Sequence, residues 1–183
     1  MRMNNDEILD VVDSDDNVIG QLERSQVYAR GLCFRVVNAF LVNDAHQVWI
    51  PRRSACKKLF PLCLDTSVGG HVMAGESYEN AFFRELAEEL NIDAAQVTYE
   101  CVTKLNPADH RVSAHMYLYL IHTNETPAYN KNDFSESYWF DIDELLTLLY
   151  KGASAKGDLH ELIKILRNFL SQSKYMPGRR AIQ

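Results

Sequence analysis

Across residues 77–90 the spacing of apolar residues changes from the two-residue period of a strand to the 3.6-residue period of a helix. Phe82, Leu86 and Leu90 stand at i, i+4 and i+8, with Phe83 beside them. That is the apolar stripe of a helix with one face in a core. Glu76 and Glu79 near its start suit the helix dipole, and Asn91 is a residue that tolerates the left-handed turn that ends a helix. Strand-forming runs lie on both sides of this segment, so the helix is expected to pack on a sheet.

Residues 7–13 and 18–23 are short β-type runs around the turn-forming Asp13-Ser14-Asp15-Asp16-Asn17, which predicts an N-terminal hairpin over 7–24. Residues 26–31 read as a short helix or connector. Residues 34–42 and 47–53 read as strands joined by Asn43-Asp44-Ala45-His46, and 64–68 as an extended run into Gly69-Gly70. Strands follow at 97–105, 112–122 and 137–140. Helices are predicted over 141–150 and 158–170, within a C-terminal helical region spanning 141–171. In the second of these, Leu159, Leu162, Ile163, Leu166 and Leu170 form one apolar stripe. Neither a repeat nor a linker interrupts the chain. One α+β domain over 1–183 is expected, and the tail at Pro177-Gly178-Arg179-Arg180 reads as outside any element.

The chain carries 25 acidic against 19 basic residues, a formal net charge of −6. An acid excess argues against a nucleic-acid partner. Five acids and one base lie between Glu76 and Glu89, so most of that excess sits in one segment. Cys33, Cys56, Cys63 and Cys101 form no CxxC pair and keep no zinc-ligand spacing with histidines, which predicts reduced thiols. The first seven residues lack an apolar core of the signal-peptide kind, and no window suits a membrane span. A cytoplasmic protein without a membrane partner is expected. A homodimer is left open.

Glu85, Glu88 and Glu89, at i, i+3 and i+4, share one helical face. Like-charged neighbours cost about 0.2–0.5 kcal/mol per pair on a bare helix. Arg84 is the cation within the same two turns. The face is offset from the Phe82/Leu86/Leu90 stripe, so the helix is expected to be anchored with its acids free. Clustered hard oxygen donors suit Mg²⁺ or Mn²⁺.

The full spacing is Gly70, five residues, Glu76, seven residues, Arg84-Glu85-Leu86, one residue, Glu88-Glu89, one residue, Asn91-Ile92. Residues 70–92 thus resemble the Nudix signature, Gx5Ex7REUxEExGU, with Asn91 in place of its last Gly. The resemblance implies a Nudix fold, a mixed β-sheet sandwiched between α-helices, and hydrolysis of a small-molecule diphosphate with Mg²⁺ or Mn²⁺. Carried over by position, it makes Glu85, Glu88 and Glu89 metal ligands, one of them a base acting through water. It makes Glu76 a helper of the catalytic loop and Arg84 the residue that orients the acids. Gly70 is expected to serve the backbone, through φ > 0 or close approach to phosphate, and counts among the candidate metal-site residues.

Outside the signature, Arg52, Arg53, Lys57 and Lys58 are candidate phosphate contacts. Glu136 is a candidate further acid, with Asp133 its alternate. His71, His110, His115 and Tyr117 are weaker candidates for the site. The block Asp65–Val72 and the hairpin resemble the isopentenyl-diphosphate isomerase-like branch, which also holds hydrolases. The isomerase needs a Cys directly before the first signature Gly and an acid on a later strand. Here Gly69 stands at the first place and 112–120 contains no Asp or Glu, while Cys63 lies well back along the chain. A hydrolase is therefore expected, with isomerase activity or a non-catalytic nucleotide-binding module as alternatives.

Overall fold

The structure, a computed structural model, describes residues 7–173. The tail at 177–180 lies outside these residues. Strands β1 (Ile8–Val12) and β2 (Val18–Glu23) form the N-terminal hairpin, followed by helix α1 (Arg24–Arg30). Strands β3 (Arg35–Val42), β4 (Gln47–Arg53) and β5 (Val68–His71) lead into helix α2 (Tyr78–Leu90). A 3₁₀ turn, β6 (Thr98–Leu105), β7 (His115–His122), β8 (Phe134–Asp141), α3 (Ile142–Tyr150) and α4 (Leu159–Ser173) complete the chain.

The large sheet runs β6-β7-β3-β4-β8, with β5 paired to β3. Only the central β3–β7 pair is parallel. Alternation along these two strands sorts their side chains onto the two faces. Val37, Ala39, Leu41, Tyr119 and Ile121 pack with Phe82, Leu86 and Leu90 of α2. Phe40, Val42, Met116, Leu118 and Leu120 pack with Leu145 of α3 and with Leu159, Leu162, Ile163 and Leu166 of α4. The result is the expected α/β/α sandwich, and the apolar stripe of α4 is core. Among the described residues no helix is long and apolar enough to cross a membrane.

The hairpin docks on this sandwich through an ion cluster at its tip. Asp16, left-handed at φ 67°, accepts from Arg35 Nε at 2.6 Å and from Tyr78 Oη at 3.0 Å, and pairs with Lys104 Nζ at 2.8 Å. Burial alone would push the Asp16 carboxyl up, but Lys104, Arg35 and Tyr78 hold it below its ordinary value. At its other end the hairpin meets the loop before α2. Ala74 N donates to Ile8 O, and Gly75 N donates to Asp10 Oδ2 at 3.0 Å.

Candidate active site

The site begins where β5 lies antiparallel to β3, with Gly70 opposite Val37 and Gly69 opposite Asn38. A Cβ on Gly70 would sit 1.9 Å from Glu85 Oε1. Gly70 does not take a left-handed φ. Its glycine is required by the approach of the Glu85 carboxylate, and φ > 0 does not explain it. A Cβ on Gly69 would sit 2.6 Å from Asn38 Oδ1 and 3.0 Å from Thr66 Oγ1. The loop then turns through Gly75 at φ 75°. Ser77 caps α2, its side chain accepting from Asn80 N at 3.1 Å. At the far end Asn91 is left-handed at φ 55°, as its position after Leu90 predicts.

The three carboxylates differ in exposure. Glu88 keeps 62% of its side chain in solvent, Glu85 13%, and Glu89 as a residue 7%. The expectation that all three stay free is corrected. At about 100° per residue, position 89 falls beside Phe82 on the core-facing flank, 85 at the margin and 88 outward. Glu89 Oε2 accepts from Gly69 N at 3.0 Å.

Arg84 ties this face to the loop. Its guanidinium donates to Glu76 Oε1 at 3.0 Å and Oε2 at 2.9 Å, to Glu85 Oε1 at 2.6 Å, and to His71 O at 2.8 Å. It also lies 3.6 Å from Glu88 Oε2. Glu76 accepts in addition from Met73 N at 3.0 Å. A fork-shaped cation with five donors thus fixes two carboxylates and one strand carbonyl together. Burial and Arg84 oppose each other at Glu76, and Arg84 with the Met73 amide wins, holding its carboxyl low.

Burial pushes Glu85 up to about 7, opposed by Arg84 and reinforced by Glu88 and Glu7. Burial and the neighbouring Glu85 push Glu89 well above the ordinary carboxylate range, against the Gly69 amide. Among the described residues, no three His, Cys, Asp or Glu side chains stand ready in ligand geometry. Glu85 is turned into Arg84 and Glu89 into Gly69 N. The donor chemistry nevertheless fits a hard divalent cation. Hard oxygens converge on one helix flank, and their buried charge exceeds what Arg84 neutralises.

The NUDIX domain family profile matches residues 34–163. The chain belongs to the Nudix family. An uncharacterized Nudix hydrolase of Nostoc sp. is 53% identical over 160 residues, covering 87% of this chain and 95% of its own length. A Nudix hydrolase of Deinococcus radiodurans is 44% identical over 159 residues, covering 87% and 93%. A crystal structure of a Deinococcus radiodurans protein superposes with TM-score 0.83 at 43% identity, covering 86% of this chain and 98% of that one. An isopentenyl-diphosphate Δ-isomerase of Photorhabdus laumondii is similar at 24% over 149 residues, covering 79% and 82%. The likeness to the isomerase-like branch is thus present and weaker than the likeness to the hydrolases.

The remaining candidates of this Nudix chain fall into place around the loop of residues 54–63. Arg52 lies 3.2 Å from Glu136 Oε2 and donates to Leu62 O at 2.9 Å. Arg53 bonds Asp65 Oδ2 at 2.5 Å and Leu59 O at 3.1 Å. The two arginines hold a loop in which Phe60 and Leu62 are left-handed, at φ 51° and 60°. Lys57 pairs with Asp133, and Lys58 is exposed. Glu136 meets Arg52 and Tyr138, and no contact joins it to Glu85, Glu88 or Glu89 among the described residues. His71 bridges Glu7 and the Tyr28 hydroxyl, each at 3.0 Å, and so anchors the hairpin. His115 is buried against Asp13 O, while the half-buried His110 bonds Asn106 and the half-buried Tyr117 packs on Tyr78. Cys63 lies with its backbone N bonded to Phe60 O. Asp10, Asp65 and Lys156 complete the surroundings. Sequence reasoning gave none of them a role: Asp10 and Lys156 stand far from the signature, and Asp65, in the block before it, is paired by Arg53 only in the fold.

Proposed function

We propose that this chain cleaves the diphosphate linkage of a nucleoside diphosphate-linked or related organic pyrophosphate, using Mg²⁺ or Mn²⁺. Membership in the Nudix family and its hydrolase relatives support a pyrophosphohydrolase. The observation that carries the finer reading is the pair of buried carboxylates, Glu85 and Glu89, beside the exposed Glu88. With Gly70 alongside, these would hold the metal. A bound divalent cation neutralises phosphate charge and acidifies a water for attack at phosphorus.

The protein's own contribution is placement. Arg84 orients Glu85 and Glu76, with four of its five N–H groups engaged by these acids and by His71 O. Glu76 holds the Met73 amide and so the shape of the loop. Glu85, pushed up to about 7 by burial, has the proton affinity that a base acting through water requires. Arg52 and Arg53 at the end of β4, with Lys57 and Lys58 on the 54–63 loop, stand as secondary phosphate contacts. Free cysteines and the lack of a membrane-crossing helix among the described residues favour a cytoplasmic setting.

Gly69 opposes isomerase chemistry, since a Cβ there meets Asn38 and Thr66. The intact acids oppose a purely binding module. A panel of nucleotide sugars, dinucleotides, nucleoside triphosphates and isopentenyl diphosphate, incubated with Mg²⁺ or Mn²⁺, tests the reading. Phosphate-containing products are expected from at least one nucleotide, with loss of turnover on chelation. Glu88→Gln and Glu89→Gln are each expected to cut kcat by about a hundredfold or more, as when a group stabilising developing charge is removed. Full activity in both variants overturns the placement of the metal.

A further inference from the structure

The loop between α3 and α4 reaches the floor of the site. Leu64 N donates to Ser154 O, and Lys156 N donates to Leu64 O, both at 2.9 Å. Leu64 and Ala155 thereby form a parallel bridge. Leu159 N closes on Lys156 O at 3.0 Å, where α4 begins. Lys156 is therefore fixed by backbone pairing on both sides.

Its side chain keeps 26% exposure and ends near Gly69, 3.5 Å from where a Cβ on that residue would lie. Gly69 N is the donor to Glu89. The ammonium thus lies across β5 from the acid face of α2, although it stands far away in the chain. Its contact among the described residues is Asp65 Oδ1 at 3.5 Å, too long for a good hydrogen bond. Asp65 is already served by Arg53 at 2.5 Å and by Thr66 N at 2.8 Å. Asp158, the other nearby acid, accepts from Ser113 Oγ at 3.1 Å. A largely buried ammonium with three N–H groups normally has partners for them. Here its backbone is fixed and its ammonium ends beside Gly69 of β5.

We propose that Lys156 is a substrate-binding residue whose ammonium takes a non-bridging oxygen of the diphosphate over Gly69. The proposal rests on the diphosphate hydrolase reading above. A phosphoryl oxygen supplies the missing acceptor. The lysine also places one positive charge on the side of Gly69 away from Arg84, so the anion is drawn to the floor of the site as well as to bound cations. Burial alone would push the Lys156 ammonium pKa down, but Asp65, Asp158 and Glu89 hold it up, so it stays charged.

Methylenediphosphonate, whose P–C–P link cannot be hydrolysed, is the probe. Its binding to the full chain with Mg²⁺ is measured by calorimetry. Lys156→Met is expected to weaken binding about tenfold or more, the scale of one charged hydrogen bond. KM for any nucleotide turned over rises by a similar factor while kcat falls less, and Lys156→Arg recovers most of the loss. Should the methionine variant fail to fold, the wild-type protein carries the test. The ¹³Cε lysine signal missing in Lys156→Arg is expected to shift when the probe is added. Unchanged binding and KM in Lys156→Met, or an unmoved lysine signal, overturns the assignment. If the wild-type protein neither binds the probe nor cleaves any nucleotide, the hydrolase reading falls with it. If turnover is lost in Glu88→Gln and untouched in Lys156→Met, the lysine assignment falls alone.

Discussion

Gly69 and Gly70 are adjacent glycines with different jobs. Gly70 makes room for the Glu85 carboxylate, whereas Gly69 makes room for Asn38 and Thr66. Gly70→Ala is expected to push Glu85 off Arg84 and lower kcat/KM by roughly a hundredfold, the effect of misplacing a catalytic group by about 1 Å. Its far-UV circular dichroism stays that of the wild type. Gly69→Cys restores the isomerase's residue without its space. It is expected to lower stability by about 1–3 kcal/mol in urea melts, as overpacking does, and to rearrange no isopentenyl diphosphate. The acids and Arg84 were legible in the sequence because their spacing encodes one helix face. The unequal burial of Glu88, Glu85 and Glu89 was not, because it depends on how α2 is rolled against the sheet. Lys156 was illegible for a related reason. It reaches Gly69 through pairing with Leu64, a contact no local pattern announces.

Helix α2 presents the acids, and its length sets their height above β5. Its stop is Asn91, whose amide donates to Ala87 O at 3.1 Å while its own φ is 55°. Asn91→Ala is expected to cost about 1 kcal/mol, the penalty of an ordinary side chain in that conformation. Asn91→Gly should be near neutral, since relief of the backbone offsets the lost contact of the Asn91 amide with Ala128 O. Equal thermal shifts for the two variants would contradict this account. Most elements were readable from apolar period or turn residues, including β4 at Gln47–Arg53 by the first and β2 at Val18–Glu23 by the second. Strand β8 was read as starting at 137 and begins at Phe134. It pairs only with β4 and exposes Ser135 and Glu136, so its first residues lack the apolar pattern of a central strand. Strand β7 starts at His115 rather than 112, where His115 N meets Phe34 O.

On the scale of the whole molecule, the N-terminal hairpin joins the sandwich through an apolar cluster of Leu9 and Val11 with Val27, Phe34 and Ala114, and through a few charges at its tip. Asp16 is held by Arg35, Tyr78 and Lys104 with 7% of its side chain exposed. Its folded-state pKa lies below the ordinary 3.8. As pH falls the unfolded chain binds that proton first, so stability present at neutral pH is lost below about pH 4 as the folded value is approached. Asp16→Asn keeps a residue tolerant of the left-handed turn and removes the charge. It is expected to cost about 2 kcal/mol at pH 7, because Arg35 and Lys104 lose their short carboxylate contacts and Arg35 keeps only the longer pairing with Asp10 at 3.8 Å and the Asp16 carbonyl. It should also flatten the acid limb of the stability profile. An unchanged melting temperature at pH 7 refutes the account. The hairpin itself was plain from its turn residues. Its attachment was not, because Arg35, Tyr78 and Lys104 come from three separate elements.

The parallel pairing of β3 with β7 has a consequence in time. Strands that meet in parallel from distant parts of a chain close long loops before any contact rewards them, and such topologies fold in milliseconds to seconds rather than microseconds. Lys156 reaches Gly69 only when the loop between α3 and α4 is seated beside Leu64. A nascent chain that has not yet released its last helix carries the acids of α2 without that lysine in place.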